Sequence, residues 1–276
     1  MDLVIAWILS LMSAVAPMGR PQYIPEAKET AEEAQERYES IARDAIEVVY
    51  DPSEKPLFSG DTARIKTINV LLAVATFESG FRKDVDYGEG KLSRGDGGKS
   101  WCLNQLNLGK ANTQGKTPTR IVVNIGGGYR FTTKADEGWG GEDLVSDRKK
   151  CFHAALAVLR TSFASCGMTP LQDKLKVYAS GSCDKGETES RRRMGLALRW
   201  MQTKAPTFKD ADVVAWLAPP PKEDPSDTPP DFLVSSLVLR GGPLFQLETS
   251  PQVLPFRTSY MLSNIRMTRR AERFSF

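Results

Sequence analysis

Glu78 closes an apolar run, residues 65–77, that is interrupted only by Lys66, Thr67, Asn69 and Thr76. A carboxyl at the edge of an apolar wall is penalised for ionising, so its pKa rises and it can hold a proton near neutral pH for a leaving group. A short loop later the chain reads Gly95-Asp96-Gly97-Gly98-Lys99-Ser100-Trp101-Cys102-Leu103-Asn104-Gln105. Asp96 supplies a second carboxylate, and Ser100 and Gln105 supply hydrogen-bonding side chains. Each residue also has a plainer account. A Glu at the end of a core helix is often just solvated, and an Asp between glycines commonly bonds its own backbone in an Asx-turn.

The elements needed to place these groups are readable. Ser59-Gly60-Asp61 offers a helix start with Asp61 as N-cap. On the helix that follows, Glu78 lies four residues after Val74 and seven after Leu71, so it shares their face, and Gly80 stops the helix. Two β-rich runs, residues 121–125 and 129–133, flank Gly126-Gly127-Gly128 and read as a hairpin.

Glu78-Ser79 followed by the Gly-rich stretch resembles the active-site region of goose-type lysozymes and soluble lytic transglycosylases. The goose-type pattern is Gly-Asp-x-Gly-x-Gly-x-Gly-Leu-Met-Gln. The spacing from Asp96 to Gln105 matches it without a gap, with Leu103 and Gln105 on its Leu and Gln. Ser100 and Cys102 replace glycines, and Asn104 replaces Met. Further on, Tyr178-Ala179-Ser180-Gly181 resembles the Ala-Tyr-Asn-x-Gly motif, with Ala179 where that motif has Asn. In the family its Tyr approaches the catalytic Glu. The resemblance covers about residues 58–204.

The resemblance implies a mainly α, lysozyme-like α+β domain with a small β hairpin. It also implies cleavage of the β-1,4 bond between N-acetylmuramic acid and N-acetylglucosamine in peptidoglycan glycan strands. Ordinary glycosidases use two carboxyl groups. Lytic transglycosylases use one Glu as acid and then base, while the substrate itself supplies the attacking group and leaves a 1,6-anhydromuramic end. Glu78 takes that role here. Asp96 keeps hydrolysis open, because the matching Asp of goose-type lysozymes helps position a water. Ser100 and Gln105 become candidates for binding N-acetyl or hydroxyl groups, with structural hydrogen bonding as the equal alternative. Tyr178 falls beside the acid. Tyr129 and Trp139 are candidates for stacking on sugar faces, with hairpin packing as the alternative.

Other chemistries find little support. Gly98-Lys99-Ser100 and Gly115-Lys116-Thr117 lack the first glycine of a phosphate loop, since Ser93 and Lys110 stand in its place. The lone His153 makes neither a metal site nor a triad. No cofactor and no metal are expected. With 37 basic and 34 acidic residues the net charge is +3, and no basic patch interleaves with aromatics, so no nucleic-acid partner is expected. At 276 residues and 41% hydrophobic, the chain can bury one ordinary core with room for appendages.

Four cysteines, Cys102, Cys151, Cys166 and Cys183, allow three pairings. If residues 151–166 are mostly one helix, Cys151 and Cys166 lie on the order of 22 Å apart, which disfavours joining them. Bridges such as Cys102–Cys151 with Cys166–Cys183 suit an oxidising compartment, and reduced, buried thiols suit a cytosol.

The sequence divides into an apolar N-terminal helix (1–20), a charged helix (21–57), the catalytic domain (58–207), a Pro-rich linker (208–231) and an extended docking arm (232–276). Residues 3–16 have the length of a signal core, but Asp2 precedes them with no basic residue and Pro17 follows Ala14-Val15-Ala16, which favours retention. A retained apolar helix needs a cover, either a bilayer edge or an apolar surface of an assembly. Ala27, Ala31, Ala34, Tyr38, Ile41, Ala45 and Val48 form a narrow stripe suited to packing on another helix. Nine of the 17 prolines follow Ala218. Flanks of this kind suit docking to other virion or envelope-assembly proteins. The expected setting is a bacteriophage virion, in its tail or ejection machinery, acting in the host periplasm. The alternatives are a periplasmic transglycosylase of a secretion or conjugation system, and an assembly part whose chemistry has lapsed.

Overall fold

A helix that is apolar on every face has no choice but the interior. The computed structural model describes residues 2–109, 120–133 and 137–218. Its helices are α1 (Asp2–Val15), α2 (Ala31–Val49), α3 (Ala63–Glu78), the single turns α4 (Lys83–Asp86) and α5 (Gly95–Gly98), then α6 (Gly141–Ser146), α7 (Arg148–Ser165), α8 (Lys176–Ser180), α9 (Glu187–Thr203) and α10 (Asp210–Leu217). Two antiparallel hairpins join them, β1 (Ser100–Trp101) with β2 (Leu106–Asn107), and β3 (Ile121–Asn124) with β4 (Tyr129–Thr132). The chain is therefore mainly α. Helix α3 is central: residues 67–75 are all buried, and α1, α2, α7, α9 and α10 pack around it.

The start of α3 departs from the sequence expectation. Asp61 is not its cap, because its side chain turns outward to Lys209. Asp210, at the start of α10, takes that role. Its carboxylate accepts the Arg64 and Ile65 N–H groups at 2.8 and 3.1 Å and the Tyr50 hydroxyl at 2.8 Å. Open donors at a helix N-terminus need such an acceptor. Asp210→Ala is expected to cost about 1–2 kcal/mol of stability, the scale of a lost cap, and urea unfolding of the variant checks this.

Helix α1 is covered by the chain itself. Val4, Ile5, Ile8, Leu11 and Met12 are buried against α2 and α3, and Trp7 donates to the Lys204 carbonyl at 2.6 Å. On its buried face the cover expected for residues 3–16 is supplied by this protein's own core. No described helix is long and apolar enough to cross a membrane. Helix α2 is shorter than the charged segment 21–57, and it starts at a capping box in which Thr30 and Glu33 exchange hydrogen bonds. Of its stripe, Ala34, Tyr38, Ile41, Ala45 and Val48 are buried, facing α1 and α7.

The linker expected from residue 208 does not begin there. Phe208 stacks edge-on with Trp7 and Trp216, and Val213 is fully buried, so α10 belongs to the folded body. Residues 219–276, which hold the rest of the expected linker and arm, lie outside the described residues, as does Lys116 of the second phosphate-loop fragment.

The β3–β4 hairpin forms where expected, with Val122 opposite Phe131 and Asn124 opposite Tyr129. The β1–β2 hairpin was not anticipated. It folds the Gly-rich stretch back on itself and buries Trp101, whose indole N–H reaches the Gly109 carbonyl at 3.0 Å. Gly141 at the start of α6 lies so close that a Cβ there would fall 2.1 Å from the Trp101 ring. Disulfides join Cys102 to Cys151 and Cys166 to Cys183, tying the Gly-rich stretch to α7 and the end of α7 to the loop after α8.

Candidate active site

The end of α3 delivers Glu78 to a groove of about 910 Å³ that Asp96, Gln105, Tyr129, Tyr178 and Arg193 also line. Gly80 and Phe81 take left-handed φ values of 59° and 54°, turning the chain away directly after the acid. Ser79 steadies that turn by donating to the Ala75 carbonyl and accepting the Phe81 N–H. The Glu78 side chain is 17% exposed. From α9, Arg193 donates Nε–H and Nη2–H to Glu78 Oε1 at 3.0 and 2.6 Å. Opposing effects meet here. Burial raises the Glu78 pKa, Arg193 lowers it and the Asp96 charge raises it, and the balance lies above the ordinary 4.5.

Asp96 is held by its own loop. Asp96 and Gly97 both adopt left-handed backbone angles in α5, and Asp96 Oδ2 accepts the Ser100 hydroxyl at 2.6 Å and the Asn107 amide at 3.4 Å. Ser100 is buried, so its hydroxyl faces Asp96 and not the groove. Gln105 is similarly committed. Its Oε1 accepts the Gly95 N–H at 2.6 Å, and its Nε2 donates to the Ser93 and Cys102 carbonyls, both at 3.1 Å. A Cβ at Gly95 would sit 2.6 Å from that Oε1, which is why a glycine stands there. Both side chains thus build the loop, and Gln105 also borders the groove.

Tyr178, on α8, donates its hydroxyl to the Asn104 carbonyl at 2.5 Å. Burial and the Glu78 charge push its phenol well above the ordinary 10.0. Asn104 is fully buried and donates to the Leu71 carbonyl of α3 at 3.3 Å, bracing the loop against the helix that carries Glu78. Tyr129 stacks on Trp139 at 4.6 Å and on His153 at 4.9 Å between ring centroids. Trp139 does not line the Glu78 groove. It borders a second depression of about 410 Å³ with Lys149 and Lys150. His153 Nδ1 lies 2.5 Å from buried Glu54, which also pairs with Arg160.

Of the sequence candidates, Glu78, Asp96, Gln105, Tyr129 and Tyr178 meet in one groove, while Ser100 lies beneath the loop and Trp139 faces elsewhere. Among the described residues, the non-glycine residues with left-handed φ are Phe81, Asp96, Cys102 and Gln105, all in the segments around Glu78. Such backbone costs about 1–3 kcal/mol per residue and clusters at functional sites. The chain matches no family model, no curated protein and no solved structure. Among the described residues, no group of three or more His, Cys, Asp or Glu is placed to hold a metal.

Arg193 escaped the sequence reading because it is one of three successive arginines. Arg191 turns to Asp173 and Glu187, Arg192 lies over Phe77, and Arg193 alone reaches Glu78. A usable signal existed. Arg193 stands three residues after Ser190 and four before Ala197, both buried, and so falls on the inward face of α9.

Proposed function

We propose that this protein cleaves peptidoglycan glycan strands at the N-acetylmuramic acid to N-acetylglucosamine β-1,4 bond, as a lytic transglycosylase or goose-type-like muramidase, with Glu78 as general acid and then base. The observation that carries the reading is a sheltered carboxyl with raised proton affinity, set in a groove of about 910 Å³ that Asp96 and Tyr178 also line. Its chemistry starts with the protonated acid. Glu78 gives its proton to the bridging oxygen as the bond to the anomeric carbon breaks. The carboxylate then takes a proton from the attacking 6-hydroxyl or from a water near Asp96. The two disulfides support work in an oxidising compartment, the periplasm, reached within a phage particle or as part of an envelope assembly.

Digestion of purified peptidoglycan with mass analysis of the product ends tests this reading. Anhydro ends indicate transglycosylation, reducing ends indicate Asp96-assisted hydrolysis, and intact glycan rejects both. The pH profile gives a further expectation. Only protonated Glu78 starts the reaction, and its pKa lies above 4.5, so kcat/KM should fall as pH rises through a limb displaced upward from the ordinary Glu range. A limb at or below that range would show that another group is titrating.

The rival reading is an assembly part that keeps the fold without the chemistry. The Arg193–Glu78 ion pair favours it, since a paired carboxylate also serves structure. The same digest separates the two.

A further inference from the structure

We infer that Arg193 is a positioning residue for Glu78: by holding Oε1 with two N–H groups it assigns proton transfer to Oε2 and sets the pH range in which Glu78 works. The inference rests on the glycan-cleaving reading above and adds the residue that regulates its acid.

The geometry makes the case. Both hydrogen bonds from Arg193 converge on the same oxygen, Oε1, at 3.0 and 2.6 Å. A carboxylate oxygen has two lone-pair directions, so Oε1 is fully used and the proton belongs on Oε2. The clamp is also sheltered, with the Arg193 and Glu78 side chains 14% and 17% exposed. A guanidinium in such a place fixes the position of that oxygen as well as supplying charge.

Among the described residues, the charged and titratable groups that act on Glu78 are Arg193 from α9, Asp96 from α5 and Tyr178 from α8, while Arg120 and Arg130 border the same groove. Burial and Asp96 hold the proton on, and Arg193 alone among them favours its departure. The reaction needs both tendencies. In the first half, the proton leaves Oε2 for the bridging oxygen, the bond between that oxygen and the anomeric carbon breaks, and its electron pair stays with the leaving sugar. Glu78 is then an anion in a sheltered groove, and Arg193 is the cation beside it. In the second half, the attacking hydroxyl bonds to the anomeric carbon and its proton returns to Oε2. Without Arg193 the anion between the halves stands uncompensated, and Glu78 becomes too weak an acid.

The test compares wild type, Arg193→Gln and Arg193→Lys, each first checked by thermal unfolding. The Glu78 carboxyl is followed by carbon NMR against pH, with its signal assigned through Glu78→Gln. In Arg193→Gln the midpoint is expected to rise by about one to three pH units, the usual effect of losing an adjacent cation. The alkaline limb of glycan cleavage should move with it, and kcat should fall by at least about tenfold with KM little changed. Arg193→Lys restores the charge without the fork, so it should return the midpoint and limb but only part of kcat. If wild type cleaves glycan while Arg193→Gln keeps the wild-type midpoint, limb and kcat, the inference is overturned and the functional reading stands. If wild type cleaves nothing at any pH, the functional reading falls and the inference falls with it.

Discussion

Peptidoglycan cleavage by Glu78→Gln is expected to be roughly 10²–10⁴ times slower than by wild type, the usual contribution of a positioned general acid. The substitution is close to isosteric. Its amide oxygen can still accept the Arg193 N–H groups, so the clamp and the end of α3 should survive, while its amide nitrogen has no acidic proton to deliver. Stability supplies an independent check. Because the folded pKa of Glu78 is raised above 4.5, the folded state binds more protons than the unfolded state between the two values. Wild-type stability therefore declines as pH rises through that window. Gln carries no such titration, so Glu78→Gln should gain stability relative to wild type across the same interval. Product analysis and urea unfolding on either side of the window measure both effects. Equal cleavage by the two proteins would remove Glu78 from the reaction.

Removing the Cys102–Cys151 bridge should have the largest effect on stability. Its cysteines are 49 residues apart and both are buried. Opening a loop of that length costs about 4 kcal/mol on chain-entropy grounds. The bridge between Cys166 and Cys183, 17 residues apart, should be worth about 3 kcal/mol by the same reasoning. The longer bridge has a second consequence. It anchors Cys102, in the middle of the loop that carries Asp96 and Gln105, to α7. Cys102→Ala with Cys151→Ala should therefore lower the urea midpoint and also speed proteolysis within residues 95–107. The Cys166→Ala, Cys183→Ala variant should leave that segment as resistant as wild type. An unchanged urea midpoint for the first variant would mean that the bridge contributes nothing.

The features legible in the sequence are those in which neighbours along the chain decide the outcome. The apolar run of α3 places Glu78 at its end, the glycines after Ile125 turn the β3–β4 hairpin, and helical rise argues against joining Cys151 to Cys166. What escaped depends on partners far apart. Arg193 meets Glu78 across 115 residues, and Asp210 caps α3 from 146 residues away. Helical spacing puts Arg193 on the inward face of α9 but does not name its partner, and nothing local names the partner of Asp210. The β1–β2 hairpin was hidden differently. Its strands are two residues each, too short for any alternation to register, and Trp101 packing on Gly141 holds them. For Ser100 and Gln105 the residue types allowed either sugar contact or loop construction, and only geometry shows their hydrogen bonds turned inward. The apolarity of α1 was legible, but its cover by α2 and α3 was not.

The placement of Asp210 also bears on how the protein comes into being. The helix that carries Glu78 ends at residue 78, yet its opening N–H groups find their acceptor only in residue 210, and Trp7 finds its ring partner only in Phe208. On the ribosome, both early helices lack these partners until residues 208–210 have emerged. A chain cut short before α10 therefore carries Glu78 on a helix whose first N–H groups are open, and the groove at its far end rests on a less stable support.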